Sequence, residues 1–390
     1  MRRSIRERAD AVFPSLPIDG ITDTKVVIIG AGQAGLSTAY HLVRLGLRPG
    51  VDVHVIDRGP STGGAWQHRW SALRVGDAHR IHDLPGMSET GLSFESAPHD
   101  EPARDVVRRY YDAYERHFGL EVIRPATVVA VESPASSFTT ADAAPRPGFL
   151  VTVRTEDGLL KYRSAVVVNA SGTWHRPRIP AVAGRDVFEG RQVTTPEYSE
   201  ASEFAGQRVA VVGAGTSALG FLDELSAAGA HTEWFTRREP VFADSGSDLG
   251  RDRALAAVQR QDEAAKAGRR LPSIAGSTGL PRTARVRRLE GRGALRRRPM
   301  FARLVSDGAV TTDGIHVPLD AVLWATGFDA ELDHLDQLAM DTSRGGIPVY
   351  DGESVDKPGL FLAGYGPQAS TIGANRAGRA MAKEIMTRLG

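Results

Sequence analysis

The sequence predicts an α/β protein built from two Rossmann-like domains, with the second domain inserted into the first. A short apolar strand, a glycine turn and an amphipathic helix follow one another at residues 25–46, and the same order recurs at residues 208–229. Strand-like apolar runs resume late, in AVLWATGF (321–328) and GLFLAGYG (359–366). Alternating strands and helices favour parallel sheets covered by helices. A chain of 390 residues also exceeds one ordinary core.

The first unit carries the glycine pattern of a dinucleotide-binding turn. GAGQAG (30–35), hereafter the first glycine turn, directly follows a strand and opens a helix. Gly30 permits the tight turn, Gly32 lets the backbone approach a pyrophosphate, and Gly35 lets helix and strand pack closely. The helix start offers free N–H groups to the anion.

An acidic residue closes the first unit. VDVHVIDRG (51–59) has the pattern of a second strand and ends at Asp57. A carboxylate there can accept hydrogen bonds from ribose hydroxyls and repels a 2′-phosphate, so we expect the adenosine of FAD or NAD rather than NADP. A glycine turn beside a solvated aspartate, with no ligand, is the alternative.

The second unit ends differently. The second glycine turn, GAGTSA (213–218), has alanine at the third glycine position, which the pattern allows. Its closing strand, HTEWFTRRE (231–239), ends in Arg237 and Arg238. Paired guanidiniums can hold a 2′-phosphate through parallel hydrogen bonds, so we expect NADPH here. If both arginines are ordinary solvated charges, a dinucleotide would bind less selectively.

The remaining segments set the expected domain bounds. Residues 243–300 are rich in Arg, Gly and Pro and hold one predicted helix at 251–268, so they could cover the site. Further helices are expected at residues 1–10 and near 373–389. The expected domains are an FAD-binding domain at 1–185, an inserted NAD(P)H-binding domain at 186–316, and an FAD-binding return segment with its C-terminal helix at 317–390.

Charge and hydropathy limit the partners. The net charge is +1, so no overall field favours nucleic acid or anionic lipid. Residues 282–298 hold eight arginines against Glu290, but no aromatic residue lies among them to stack on bases. A solvated loop or an electrostatic guide for NADPH is therefore favoured. No apolar segment suits a signal peptide or a membrane span, so we expect a cytoplasmic protein, and a homodimer is possible.

Cysteine and histidine usage excludes two kinds of site. The chain contains no cysteine, which rules out the redox-active cysteine pair of disulfide reductases. Histidines and aspartates are concentrated at residues 68–100, but their spacing fits no recognised ligand pattern. We therefore expect no metal.

Five motifs follow one another along the chain, namely GAGQAG (30–35), GGAWQHRW (63–70), FEGRQVTTPEY (188–198), GAGTSA (213–218) and ATGF (325–328). In this order they resemble one known family, the class B flavin-dependent monooxygenases, which include flavin-containing and Baeyer-Villiger monooxygenases. The resemblance covers nearly the whole chain and is greatest to the short bacterial members.

The resemblance implies FAD and NADPH as cofactors, with a small organic substrate and O2 as partners. NADPH would pass hydride to FAD, and the reduced flavin would capture O2 as a C4a-peroxide that oxidises a sulfide, an amine or a ketone. Because the flavin performs the chemistry, no catalytic side chain is assigned.

Three departures from the family keep alternatives open. Thr194 occupies the position of the family's histidine, residues 71–86 contain no asparagine, and Tyr365 stands where many wider relatives have an aspartate. Since the histidine is associated with productive use of NADPH, a dehydrogenase or oxidase without oxygen insertion is the main alternative. A non-enzymatic flavin-binding sensor is a third.

The candidate binding residues fall into three groups. The resemblance implies that ATGF links back to the FAD domain and that the N-terminus of the last helix stabilises the negative charge of reduced flavin. The candidates for FAD are Gly30, Gly32, Gln33, Ala34, Gly35, Asp57, Arg58, Gly64, Ala65, Trp66, Gly364, Thr371 and Ile372; those for NADPH are Gly213, Gly215, Thr216, Ser217, Ala218, Arg237 and Arg238; those in the linking motif are Ala325, Thr326 and Gly327.

Overall fold

The structure is a computed structural model that describes residues 20–78, 81–133, 148–243, 248–272 and 280–390. The helix expected at residues 1–10 lies outside this part. Among the described residues, no helix is long and apolar enough to cross a membrane.

The first sheet contains nine strands of the described chain, in the order β17-β18-β19-β6-β1-β2-β3, with β5 beside β6 and β4 beside β5. Neighbouring strands from β19 to β3 run parallel. Val26–Ile28 and Val166–Val168 are fully buried, as expected for parallel strands covered on both faces. The strands are β1 (Ile21–Ile29), β2 (Val53–Ile56), β3 (Val122–Ile123), β4 (Thr127–Glu132), β5 (Phe149–Thr155), β6 (Gly158–Asn169), β17 (Val349–Tyr350), β18 (Glu353–Ser354) and β19 (Leu360–Leu362).

The second sheet is entirely parallel and has the order β12-β9-β8-β16-β7. Its strands are β7 (Arg191–Thr194), β8 (Arg208–Val212), β9 (His231–Thr236), β12 (Arg297–Pro299) and β16 (Ala321–Trp324). Two small sheets accompany it, one of β10 (Phe242–Ala243) and β11 (Leu280–Pro281), the other of β13 (Arg303–Val305), β14 (Gly308–Val310) and β15 (His316–Pro318).

Helices cover both sheets. They are α1 (Gln33–Arg44), α2 (Ala103–Phe118), α3 (Thr216–Ala227), α4 (Asp248–Lys266), α5 (Ala284–Gly291) and α6 (Thr371–Leu389). The helices expected at 251–268 and 373–389 correspond to α4 and α6. The sequence does not predict α5, because a helix of eight residues with few apolar positions gives little periodicity.

The α/β fold class with two Rossmann-like halves is confirmed, and the second sheet lies in the chain between β6 and β17. The expected return to the first sheet at residue 317 is placed too early. β16 lies between β8 and β7 in the second sheet, and the return comes only with β17–β19. An apolar run shows that a strand is buried but not which sheet it joins. The other domain bounds stay a prediction.

Candidate cofactor site

The first glycine turn requires glycine at two positions. Gly30 has φ +105°, and a Cβ there would lie 2.4 Å from the carbonyl oxygen of Ala170. A Cβ on Gly35 would lie 1.9 Å from the carbonyl oxygen of Gly30. Gly32 caps α1, and no side chain caps this helix end. Its first N–H groups are therefore available to an anion.

Asp57 is fixed beside the first glycine turn. The residue is 8% exposed, and its carboxylate accepts hydrogen bonds from the backbone N–H groups of Ala31 at 2.7 Å and Gly59 at 2.8 Å. The neighbouring Arg58 pairs with Glu331 at 3.1 Å. The structure thus holds the carboxylate rigidly at the position where the sequence predicts the ribose contact.

A cavity of about 1000 Å³ opens in front of this turn. This volume lies at the upper end of the range typical of ligand sites. Eleven of the candidate residues line it, namely Gly30, Gly32, Gln33, Ala34, Asp57, Arg58, Gly64, Ala65, Trp66, Gly364 and Thr216.

The glycine wall of the cavity fits a dinucleotide. A Cβ on Gly64 would lie 2.7 Å from the Cα of Gly32, and one on Gly364 would lie 3.3 Å from the Cβ of Ala34. Side chains at these places would close the space that a pyrophosphate needs against the backbone. The residues present therefore fit FAD.

The N-terminus of α6 also faces the cavity. Ser370 caps it by accepting a hydrogen bond from the N–H of Gly373 at 3.0 Å, and Ser370 and Ala374 line the cavity. The side chains of Thr371 and Ile372 lie outside the described part of the chain. The flavin contact expected at this helix end stays a prediction.

Aromatic residues outside the set of sequence candidates complete the wall. Trp174 stacks on Phe328, with ring centroids 5.4 Å apart, and on His68 at 6.3 Å. The guanidinium of Arg69 lies 4.3 Å from the Trp174 ring. Burial lowers the pKa of His68, so the imidazole is mostly neutral at pH 7. Trp174 and Phe328 come from separate segments; Phe328 ends the ATGF motif, whereas no motif marks Trp174.

His334 is a further cavity residue that no sequence signal indicated. Its Nε2 lies 2.9 Å from Oδ1 of Asn169, at the end of β6. Burial lowers its pKa to about 4, so it stays uncharged at neutral pH. No group of three or more metal-ligating side chains occurs among the residues that the structure describes.

The second glycine turn repeats the first. Gly213 has φ +136°, and a Cβ there would lie 2.2 Å from the carbonyl oxygen of Ala325. Gly215 caps α3 without a side-chain hydrogen bond, and Ala218 is fully buried against the strand. Ala325 of ATGF therefore packs beneath the second glycine turn, while Thr326 donates a hydrogen bond to the carbonyl oxygen of Arg178.

Most candidates around the second glycine turn do not line the cavity. Thr216, at the start of α3, does line it. The candidates outside the described cavity lining are Gly35, Gly213, Gly215, Ser217, Ala218, Arg237, Arg238, Ala325, Thr326 and Gly327.

Arg237 and Arg238 follow β9 and are exposed. Within the described chain, neither has an acidic partner within 4 Å. A third guanidinium lies beside them, because β12 pairs with β9: Arg297 donates to Thr236 Oγ1 at 2.7 Å and pairs with Glu239 at 3.0 Å. The position of Arg297 near this site follows from the pairing of β12 with β9 and is not evident from the sequence.

Thr194 takes part in a local turn. It ends β7, and Glu197 Oε2 accepts hydrogen bonds from its backbone N–H at 2.8 Å and its hydroxyl at 2.7 Å. Thr194 is outside the described cavity lining. The turn leads to Tyr198, which donates its hydroxyl to Glu224 Oε2 at 3.0 Å. Burial raises the pKa of Glu224.

The arginine-rich segment is not the solvated loop that its composition suggested. In α5, Arg285 is 6% exposed and lies 3.5 Å from Asp77 and 3.6 Å from Asp223. Arg288 pairs with the same two aspartates, at 3.4 and 2.8 Å. Ion pairs across helices, which composition does not reveal, account for this part of the basic cluster.

The family model described as pyridine nucleotide-disulphide oxidoreductase matches residues 27–252, which is more than half of the chain. The chain belongs to this family. Within it, the class B flavin monooxygenase resemblance is confirmed. FAD and NADPH, which the resemblance implies, are the cofactors expected of this family.

Several proteins similar to this chain are flavin-dependent oxidoreductases. The structure of a flavin-containing monooxygenase from Stenotrophomonas maltophilia is 29% identical and matches with a TM-score of 0.75, covering 95% of this chain and 100% of that one. Senecionine N-oxygenase from Tyria jacobaeae is 28% identical over 52% of this chain and 44% of its own length. An indole-3-pyruvate monooxygenase from Oryza sativa subsp. japonica is 30% identical over 55% and 49%. The chain thus spans about half the length of these curated relatives.

Proposed function

We propose that this flavin-dependent oxidoreductase is an NADPH-oxidising monooxygenase that transfers one oxygen atom of O2 to a small organic sulfide, amine or ketone. One observation carries the proposal. Thr216, at the start of the helix that follows the second glycine turn, lines the same cavity as Gly30 and Gly32 of the first turn. Cofactors held at the two turns would therefore meet in one space.

The chain's own residues would bind and orient FAD on the first side. Gly32 and the free N–H groups of α1 would hold the pyrophosphate, and Asp57 would accept hydrogen bonds from the ribose. Gly364 leaves room against Ala34 for the flavin. When bound, FAD supplies hydride acceptance and oxygen activation.

On the second side, the positive residues would select the nucleotide. Arg237 and Arg238, with Arg297 beside them, would bind the 2′-phosphate of NADPH. Gly215 and the start of α3 would hold its pyrophosphate. The nicotinamide end would then extend past Thr216 into the cavity.

The aromatic wall would keep water away from the reaction. Trp66 and Trp174 are 8% and 5% exposed, and both line the cavity. Excluding water protects reactive species from side reactions. His334 and His68 lie at the same cavity and are uncharged at neutral pH, which favours a neutral substrate over an ionic one.

A second candidate function is NADPH oxidation without oxygen insertion. It is favoured by Thr194, which replaces the histidine of the resembled family and is occupied by a hydrogen bond to Glu197. If that histidine position is needed to couple NADPH oxidation to oxygen transfer, this chain would release peroxide or pass electrons to another acceptor.

The test is to follow NADPH and NADH oxidation, O2 uptake and peroxide release together, on FAD-loaded protein with a panel of sulfides, amines and ketones. Oxygenated product close to the NADPH consumed, with little peroxide, supports the monooxygenase. Peroxide equal to the NADPH consumed, without product, supports the second candidate. A cytoplasmic location, a homodimer and the absence of a nucleic-acid partner stay predictions.

A further inference from the structure

A contact outside the cavity joins the loop that follows β2 of the first sheet to helix α3, which packs on the second sheet. Trp70 donates its indole N–H to Glu224 Oε1 at 2.7 Å. Tyr198 donates its hydroxyl to Glu224 Oε2 at 3.0 Å. The two oxygens of one carboxylate thus hold two donors from distant parts of the chain. Trp70, Tyr198 and Glu224 are called the Glu224 clamp below.

Packing fixes the donors of the Glu224 clamp. The rings of Trp70 and Tyr198 meet edge-to-face, with centroids 5.5 Å apart, and Phe221 packs against both at 5.0 and 4.5 Å. Trp70 and Tyr198 are 5% and 4% exposed. A Cβ on Gly220 would lie 3.7 Å from the Trp70 ring, so α3 approaches the indole closely. Each donor has little freedom to turn away from the carboxylate.

Both ends of the clamp lead directly to the cavity. Trp70 follows a short 3-10 helix at Gly64–His68, whose five residues line the cavity. Glu224 lies on α3 two turns beyond Thr216, a distance of about 12 Å along the helix axis, and Thr216 lines the cavity from the other side. Any rotation of α3 at Glu224 therefore moves Thr216 relative to the glycine wall.

The third member is placed by the segment that contains Thr194. The hydrogen bonds between Thr194 and Glu197 close a short turn at residues 195–197, and Tyr198 is the next residue. The same turn that occupies Thr194 therefore aims Tyr198 at Glu224. The turn at residues 194–198 thus acts on the orientation of α3 from outside the cavity.

An ionic layer surrounds the clamp. Arg285 and Arg288 of α5 lie between Asp77, on the side of Trp70, and Asp223, next to Glu224 on α3. The Arg288 pairs are partly exposed, and such pairs contribute little to stability. Arg285 is buried, but its two ion pairs are long, at 3.5 and 3.6 Å, and its Nε has no hydrogen-bond partner in the described chain. The shorter hydrogen bonds of Trp70 and Tyr198 are therefore the stronger constraint.

We propose that Glu224 is a positioning residue that sets the orientation of the second glycine turn towards the first, and so the approach of nicotinamide to flavin. It acts through Trp70 and Tyr198 and touches neither cofactor. The inference rests on the proposed function, since it assumes that NADPH reduces FAD in the shared cavity.

The experiment compares Glu224→Leu, Tyr198→Phe and Glu224→Gln with the wild type, all loaded with FAD. Glu189→Gln is the matched control, because Glu189 is exposed on the second domain and outside the clamp. Three quantities are measured: hydrogen exchange of residues 64–70 and 216–224, the Kd for NADPH, and the rate of anaerobic flavin reduction at saturating NADPH.

For Glu224→Leu we expect faster hydrogen exchange in both segments. The rate of flavin reduction should fall about 10-fold or more, because small misplacements of reacting groups lower rates by large factors. The Kd for NADPH should stay within about twofold, since the nucleotide contacts are unchanged. Tyr198→Phe should have a smaller effect, and Glu224→Gln should restore part of the rate because its amide oxygen still accepts one donor.

Unchanged exchange together with an unchanged reduction rate in Glu224→Leu would overturn the proposal, as would a weaker Kd with no loss of rate. If Glu224→Leu does not fold, Tyr198→Phe, which removes one oxygen atom, decides by the same measurements. If NADPH fails to reduce the wild type, the proposed function fails. In that case hydrogen exchange alone tests the Glu224 clamp: faster exchange in Glu224→Leu supports it, and unchanged exchange refutes it.

Discussion

The two glycine turns have the same backbone and different closing residues. Gly30 and Gly213 both have positive φ, and at each a Cβ would collide with a carbonyl oxygen, that of Ala170 or Ala325. The first unit ends in a buried carboxylate, whereas the second ends in exposed guanidiniums. The backbone thus selects a dinucleotide, and the residues after the next strand select which one.

The turns also differ in how much of each faces the cavity. Gly30, Gly32, Gln33 and Ala34 of the first turn line it, whereas Thr216 is the described lining residue of the second. We therefore expect FAD to remain bound through purification and NADPH to exchange freely.

Alanine at the first glycine of each turn should separate the two sites. Gly30→Ala should abolish FAD retention, and Gly213→Ala should abolish NADPH binding while FAD is kept. Each change adds backbone strain of about 1 to 3 kcal/mol to a direct collision. Flavin absorbance of the purified protein and NADPH titration measure the outcomes.

The control for both is Gly314→Ala, because Gly314 has φ +85° but a Cβ there meets nothing within 4 Å. It should cost stability without affecting either cofactor. Loss of FAD in Gly213→Ala at unchanged folding would show that the two turns do not act separately.

Replacing Asp57 should weaken FAD binding about 10- to 100-fold in Asp57→Ala, because hydrogen bonds to a charged group are lost. Asp57→Asn keeps one acceptor oxygen and should weaken FAD less. Equilibrium dialysis of FAD measures both constants. Equal FAD affinity in the wild type and Asp57→Ala would contradict the ribose contact.

Arg238→Ala should weaken NADPH about 10-fold and NADH by less than about twofold, since a 2′-phosphate is present in NADPH alone. Arg237→Ala should behave alike. Arg303→Ala, an exposed arginine on a separate hairpin, is the control. An equal loss for both nucleotides would refute the assignment of the second site to the phosphate.

The smallest effect concerns Glu239, which is 77% exposed and pairs with Arg297. Glu239→Gln should tighten NADPH about two- to threefold at low salt, because it frees a guanidinium and removes a negative charge near the phosphate. Glu189→Gln should change nothing. Weaker NADPH binding in Glu239→Gln would mean that Arg297 does not face the nucleotide.

Local signals in the sequence are enough to predict candidate residues for both sites. The glycine turns follow their strands directly, and Asp57 and Arg238 lie at the end of the next strand, so short segments identify them. The prediction of FAD and NADPH followed from the contrast between these closing residues. The family assignment followed from the order of five motifs.

Prediction from the sequence fails where distant segments meet. β16 was expected in the first sheet, because an apolar run does not show which strands it pairs with. Trp174 and His334 reach the cavity from separate connections, and Arg297 reaches the second site through the pairing of β12 with β9. The clamp at Glu224 likewise depends on tertiary contacts. No spacing rule in the sequence could have shown these.

We infer that the two glycine turns present two different cofactors to one cavity. This inference is tested by mixing the FAD-loaded protein with NADPH under anaerobic conditions and following the flavin absorbance. We expect rapid and complete loss of the oxidised flavin absorbance with NADPH, and slower loss with NADH at the same concentration. Oxidised flavin that persists while NADPH is bound would contradict the claim, because the cofactors would then occupy separate spaces.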